Sequence, residues 1–132
     1  MLELAHGGRV PLAGAHRLLF RLRYDLEVIQ EPTGGWSAAL VGYWYEISHA
    51  DERELLAYHW HPRGVSPIVW PHLHTSAPIA PIDLTRAHLP TGPVLLPAVL
   101  RCALGDLGVR PLRPDWPAVL ADAERALVQA AE

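Results

Sequence analysis

The sequence contains no lysine. All eleven basic residues are arginine, set against fourteen acids for a formal net charge of -3. The abundance of Ala, Leu, Pro and Arg reads as a coding bias before it reads as chemistry. A negative balance argues against a protein whose purpose is to coat nucleic acid, since that binding rests on a basic surface that releases counterions from phosphates. It leaves room for a small local basic site. Cys102 is the only cysteine, which excludes an internal disulfide and any C-x-x-C metal motif. Its apolar surroundings place it in packing rather than in reactivity. No apolar run reaches membrane length, because VLLPAVL is short and is followed by Arg101. The first residues, MLELAHGGRVPLAG, carry an early acid and no apolar core of signal-peptide length, so the expected compartment is the cytoplasm, with no membrane partner. A glycine-rich phosphate loop, an H-E-x-x-H helix and a nucleophile elbow are all missing, and HLPTGP with its one glycine is a poor phosphate cradle. There are no repeats and no low-complexity tracts.

What remains is globular in character. Half of the 132 residues are apolar and 19% are charged, enough for one domain over residues 1–132 to bury a core without disulfides or a structural metal. Residues 1–16, with Gly7, Gly8, Pro11 and Gly14, show no period and are expected to form an irregular arm. An antiparallel sheet is expected over residues 17–76. From Phe20, apolar Leu22, Tyr24, Leu26 and Val28 alternate with charged Arg21, Arg23, Asp25 and Glu27, the period of a strand with one wet face. EPTGG at 31–35 supplies turn chemistry. Trp36 to Ser48 is aromatic and β-branched on both faces, so the second strand should be central and covered on both sides. HADER at 49–53 turns the chain into ELLAYHWH, and PRGVSP leads from there to IVWPHLHTS, where Pro71 suggests an edge or a bulge.

A proline-rich loop is expected over residues 77–93, with at most a short strand near Pro81 to Leu84. The period then changes to that of helices over residues 94–130. Pro97 suits a first turn, and Val99, Leu100, Ala103, Leu104 and Leu107 form one apolar stripe stopped by Gly105 and Gly108. Asp115 caps a second stripe of Val119, Leu120, Ala123, Ala126 and Leu127. Strands first and helices last make an α+β chain: an antiparallel β-meander of about four strands followed by two carboxy-terminal helices packed on one face.

Four of the eight histidines form two H-x-H pairs within YHWHPRGVSPIVWPHLHTS, residues 58–76. Side chains alternate along a strand, so His59 and His61 share a face, as do His72 and His74. The loop length suggests that 61 lies opposite 68, 59 opposite 70 and 57 opposite 72. All four imidazoles then share one face, His59 and His72 are diagonal neighbours, and Trp70 sits across from His59. A slip of one residue would move one pair to the other face. Tyr58 and Trp60 point to the opposite face, into the core. His88 is a fifth candidate if its loop folds back. His6, His16 and His49 lie in irregular or turn segments and are read as structural.

Two chemistries suit such a face. Neutral imidazoles are zinc ligands, and His59, His61, His72 and His74 could hold an ion near 2 Å, although Asp51, Glu54 and Asp83 lie in turns or at strand ends with no fixed distance to them. Alternatively, two imidazoles facing a phosphodiester could act as base and acid without a metal, with Arg63 or Arg53 on the phosphoryl oxygens and Trp70 stacking a base of single-stranded RNA. A structural role in a half-buried sheet is the bland alternative. Arg101, Arg110 and Arg113 form a modest basic patch at the helix junction, read as a solvated rim.

RLRYDLEV, GYWYEI, YHWH and PHLH together give residues 17–76 a resemblance to small bacterial toxins of the TumE type, while the carboxy-terminal third resembles small uncharacterised bacterial proteins. The resemblance implies a cytoplasmic ribonuclease toxin, paired with a helix-turn-helix antitoxin, in which His59 and His72 act as acid and base and Arg63 contacts phosphate. Trp70, His61, His74 and His88 would then contact the substrate. A noncatalytic module that docks a larger partner through an exposed aromatic strand edge is the third expectation, and the edge near residues 68–75 is a pairing surface for a homo-oligomer.

Overall fold

The computed structural model describes residues 1–76 and 87–129. The α+β order holds, and the sheet is larger than the expected four strands. Seven strands are present among the described residues: β1 (Leu2–Glu3), β2 (Val10–Pro11), β3 (Leu18–Gln30), β4 (Trp36–His49), β5 (Glu54–Trp60), β6 (His72–Thr75) and β7 (Leu89–Pro90). They are followed by α1 (Leu96–Gly105) and α2 (Trp116–Gln129). Every pairing is antiparallel, in the order β1-β3-β4-β5-β6-β7, with β2 also on β3.

The long β3/β4 hairpin is the frame. Its turn is closed by backbone bonds between Glu31 and both Gly34 and Gly35, and Gly34 takes φ +89°, where a side chain would be strained. Beyond the turn β4 is central, as its composition implies, and Tyr45, Glu46, Ile47 and Ser48 are buried on alternating faces. One face carries the apolar core. Leu18, Phe20, Leu22, Tyr43, Tyr45 and Ile47 meet Val99 and Ala103 of α1, and Tyr58 and Trp60 pack at its margin. Residue 94 enters α1 with its backbone N–H donated to the Tyr43 hydroxyl at 3.0 Å, which ties the helix to the sheet. The other face is polar and carries Arg21, Arg23, Trp44, Glu46, His59, His72 and His74.

The amino-terminal segment departs from the expected irregular arm. β1 and β2 pair with β3, and Arg9 reaches over the polar face to the buried Glu46 carboxylate at 2.9 Å. Two-residue ladders carry no readable period, and a glycine-rich segment hides them further. The expected edge near 68–75 is also corrected. β6 begins only at His72, and β7 covers its outer side through the pairs His72↔Pro90 and Leu73↔Leu89. Pro71 lacks the N–H a ladder needs, which explains the late start. The strand expected near Pro81 to Leu84, and Asp83 with it, lie outside the described residues. No helix among the described residues is long and apolar enough to cross a membrane.

Candidate metal centre

The register of β5 and β6 decides the site. His59 pairs directly with His72, and Ala57 with His74. The expectation of 59 opposite 70 is therefore off by two residues, which preserves the face and turns a diagonal pair into a direct one. Ala57, the smallest side chain in the strand, leaves space across from the His74 ring. His61 follows β5 immediately, and His88 precedes β7, whose pairing with β6 sets it beside His72 and His74.

Five imidazoles meet. Ring centroids lie 5.5 Å apart for His59 and His72, 4.8 Å for His59 and His74, 5.4 Å for His61 and His72, and 4.6 Å for His74 and His88. Two triads each offer three ring nitrogens within 4.8 Å of one another: His59, His61 and His72, which is largely buried, and His72, His74 and His88, which reaches the surface at His88. His72 belongs to both.

His59 is 8% exposed and His72 1%. Among the described residues, the Nε2 atoms of His59 and His72 and the Nδ1 of His61 are buried and meet no hydrogen-bond partner. Such orphans are unusual, because a buried polar atom without a partner costs about 1–3 kcal/mol. The tautomer of His72 follows from its neighbour. Its Nδ1 lies 2.8 Å from the Trp70 carbonyl, which can only accept, so Nδ1 carries the proton and Nε2 keeps its lone pair. A ring oriented by a backbone carbonyl in this way is the usual arrangement of a metal-binding histidine.

Burial, with repulsion from the neighbouring imidazoles second, drives the His59 pKa down to about 3. Burial likewise lowers His72, against the opposing pull of the Trp70 carbonyl, and it lowers His74, with His88 as the next cause. These three rings are held in the neutral form, the form that ligates a metal.

Trp44 completes the wall. It pairs with His59 across β4 and β5, its ring 4.2 Å from the imidazole, and the guanidinium of Arg21 lies 5.8 Å from the indole centroid. Sequence reasoning missed Trp44, since only the β4/β5 register, which no motif encodes, places it there. The acid on this face of β4, Glu46, is engaged by Arg9, and among the described residues neither triad includes a carboxylate. Trp70 contributes its carbonyl rather than a stacking face toward His59, because it lies outside β6 and its side chain is exposed. Arg63 is exposed and ion-paired to Glu27 at 2.9 Å. Arg53 pairs with Asp51 in the β4/β5 turn, where His49 also contacts Asp51. Cys102 is partly buried, its thiol pushed up by burial. Searches against protein-family models, curated proteins and solved structures find no match to this chain.

Proposed function

We propose that the protein binds a zinc ion through His59, His61 and His72. The observation that supports this reading is a set of three converging imidazoles whose buried nitrogens lack partners, one of them already fixed in the ligating tautomer. A tetrahedral ion with bonds of 2.0–2.1 Å needs donors roughly 3.4 Å apart, so the rings close slightly around it. All-nitrogen donors suit zinc and its late-transition neighbours, whereas calcium and magnesium ask for oxygen ligands. A single ring nitrogen serves one ion, so the triad that shares His72 is an alternative seat for the same ion, toward the surface at His88. Zinc held by three histidines with one position open acts as a Lewis acid and lowers the pKa of water, the arrangement of hydrolytic sites.

The same histidines serve a metal-free ribonuclease of the TumE type less well. Acid–base cleavage needs one imidazolium as general acid at working pH, and the burial of His59, His72 and His74 disfavours charge. Arg63, the expected phosphate contact, is ion-paired to Glu27 at the surface.

The test is metal analysis of protein purified without chelator, followed by zinc titration of the wild type and of the His59→Ala/His72→Ala variant. One zinc per wild-type chain and none in a folded variant is the expected result. Equal binding by both proteins, or by neither, refutes the reading.

A further inference from the structure

We propose that His72, His74 and His88 form a second, transient metal site through which the ion reaches and leaves the buried one, an inference that rests on the zinc reading above. The need for such a site comes from burial. Among the described residues, the unpartnered nitrogens of the inner set, Nε2 of His59 and His72 and Nδ1 of His61, are all buried. A hydrated ion cannot meet them directly. It must first be taken up by ligands that water reaches and then be passed inward.

The inner set is walled by protein on two sides. Trp44 stands across from His59 in the β4/β5 ladder with its ring 4.2 Å away. The turn after β5 folds back on His61: the Gly64 N–H donates to the His61 carbonyl at 3.0 Å, and a Cβ on Gly64 would stand 3.4 Å from the His61 Nδ1. Exposure rises in the other direction. His72 is buried, His74 half-buried and His88 exposed, and the nitrogens these three offer lie within 4.8 Å of one another. This set is the end of the cluster that faces water.

The rings are spaced to pass an ion one ligand at a time. Centroid to centroid, His74 lies 4.6 Å from His88, 5.0 Å from His72 and 4.8 Å from His59, and His61 lies 5.9 Å from His59 and 5.4 Å from His72. An ion on His72, His74 and His88 can exchange His88 for His59, and then His74 for His61. Each exchange breaks one zinc–nitrogen bond and forms another, and the ion stays Zn²⁺ with three imidazoles throughout. The pivot is His72. Its Nδ1 proton is directed to the Trp70 carbonyl at 2.8 Å, which leaves Nε2 as its one lone pair for both sets. The two sets therefore cannot be filled together, and the outer one empties as the inner one fills. Among the described residues neither set contains a carboxylate, so no anionic ligand adds its Coulomb attraction and traps the ion part-way.

The experiment follows zinc uptake by the metal-free full chain, and zinc release to a chromogenic chelator, by stopped-flow absorbance, with zinc affinity measured at equilibrium alongside. His88 is exposed, so His88→Ala leaves the fold intact. The expected result is that this variant takes up and releases zinc at least tenfold more slowly than the wild type, with an affinity changed by less than about threefold. A site visited only in passage alters rates and not the end state. Wild-type rates in His88→Ala overturn this proposal alone, since zinc then passes by His61 or Trp44. An affinity loss as large as that of His72→Ala also overturns it, by making the outer set the resting place of the ion. A wild type that takes up no zinc overturns the metal reading, and this inference with it.

Discussion

His59 and His72 stand directly opposite each other in the β5/β6 ladder, ring centroids 5.5 Å apart, each with a buried Nε2 that meets no partner among the described residues. Directly opposed residues in an antiparallel pair carry Cβ atoms about 4.5–5.5 Å apart, so the ladder itself imposes their closeness. His61 and His74 extend the pair on either side, and His88 adds a fifth ring from β7's approach.

Zinc should stabilise the fold. With free zinc at one hundred times its dissociation constant the gain is about 2.7 kcal/mol, visible as a raised Tm that EDTA reverses. His72→Ala should weaken zinc binding by more than about 100-fold, beyond the 10–100-fold typical of losing an outer partner. His88→Ala, outside the buried triad, should weaken it less. Equal losses in the two variants would mean that the outer seat holds the ion.

Without metal, stability should fall as the solution is acidified. The folded His59 pKa of about 3 lies below the ordinary 6.5, so between those values the unfolded chain binds the extra proton and acid favours unfolding. The slope from one such group is at most about 1.4 kcal/mol per pH unit, and His72 and His74 act in the same direction. Urea unfolding in EDTA at pH 7.5 and pH 5 measures it. His59→Ala should show a shallower dependence than the wild type, and identical slopes would contradict the assignment.

Gly42→Ala should damage the frame of the site. A Cβ there falls 2.9 Å from the Trp60 carbonyl oxygen and 3.3 Å from the Asp25 carboxylate, at the bulge where β3 shifts register. Backbone must move where β5 hands the chain to His61. The expected loss is about 1–3 kcal/mol in urea unfolding, accompanied by weaker zinc binding. An unchanged variant would show that the strands separate freely at this point.

Arg9→Ala should destabilise the protein by about 1–3 kcal/mol, because Glu46, 3% exposed, loses its principal ion-pair partner. Adding Glu46→Gln should recover part of that loss by removing the buried charge. Thermal unfolding of the two variants is the check. If Arg9→Ala alone matches the wild type, the amino-terminal strands contribute nothing through this contact.

The face was legible in the sequence and the partners were not. Alternation along YHWH and PHLH put the four histidines on one side because a two-residue error in register leaves parity intact. The actual pairing depended on where β6 starts, and Pro71 delays that start in a way loop counting does not capture. His88 could be named only conditionally, since its place depends on β7, a two-residue strand without a period. Trp44 escaped notice for a related reason: it joins the site through the β4/β5 register, which the aromatic run GYWYEI does not encode. The helices, with a stripe of 3.6-residue period and a proline start, were read nearly to their ends.

X-ray absorption at the zinc edge of the zinc-loaded protein tests the central claim most directly, because it reads the ligand shell. The account predicts at least three nitrogen donors at 2.0–2.1 Å with the multiple scattering of imidazole rings, reduced in His59→Ala. A shell of oxygen donors without imidazole scattering, or protein that takes up no zinc, would contradict it.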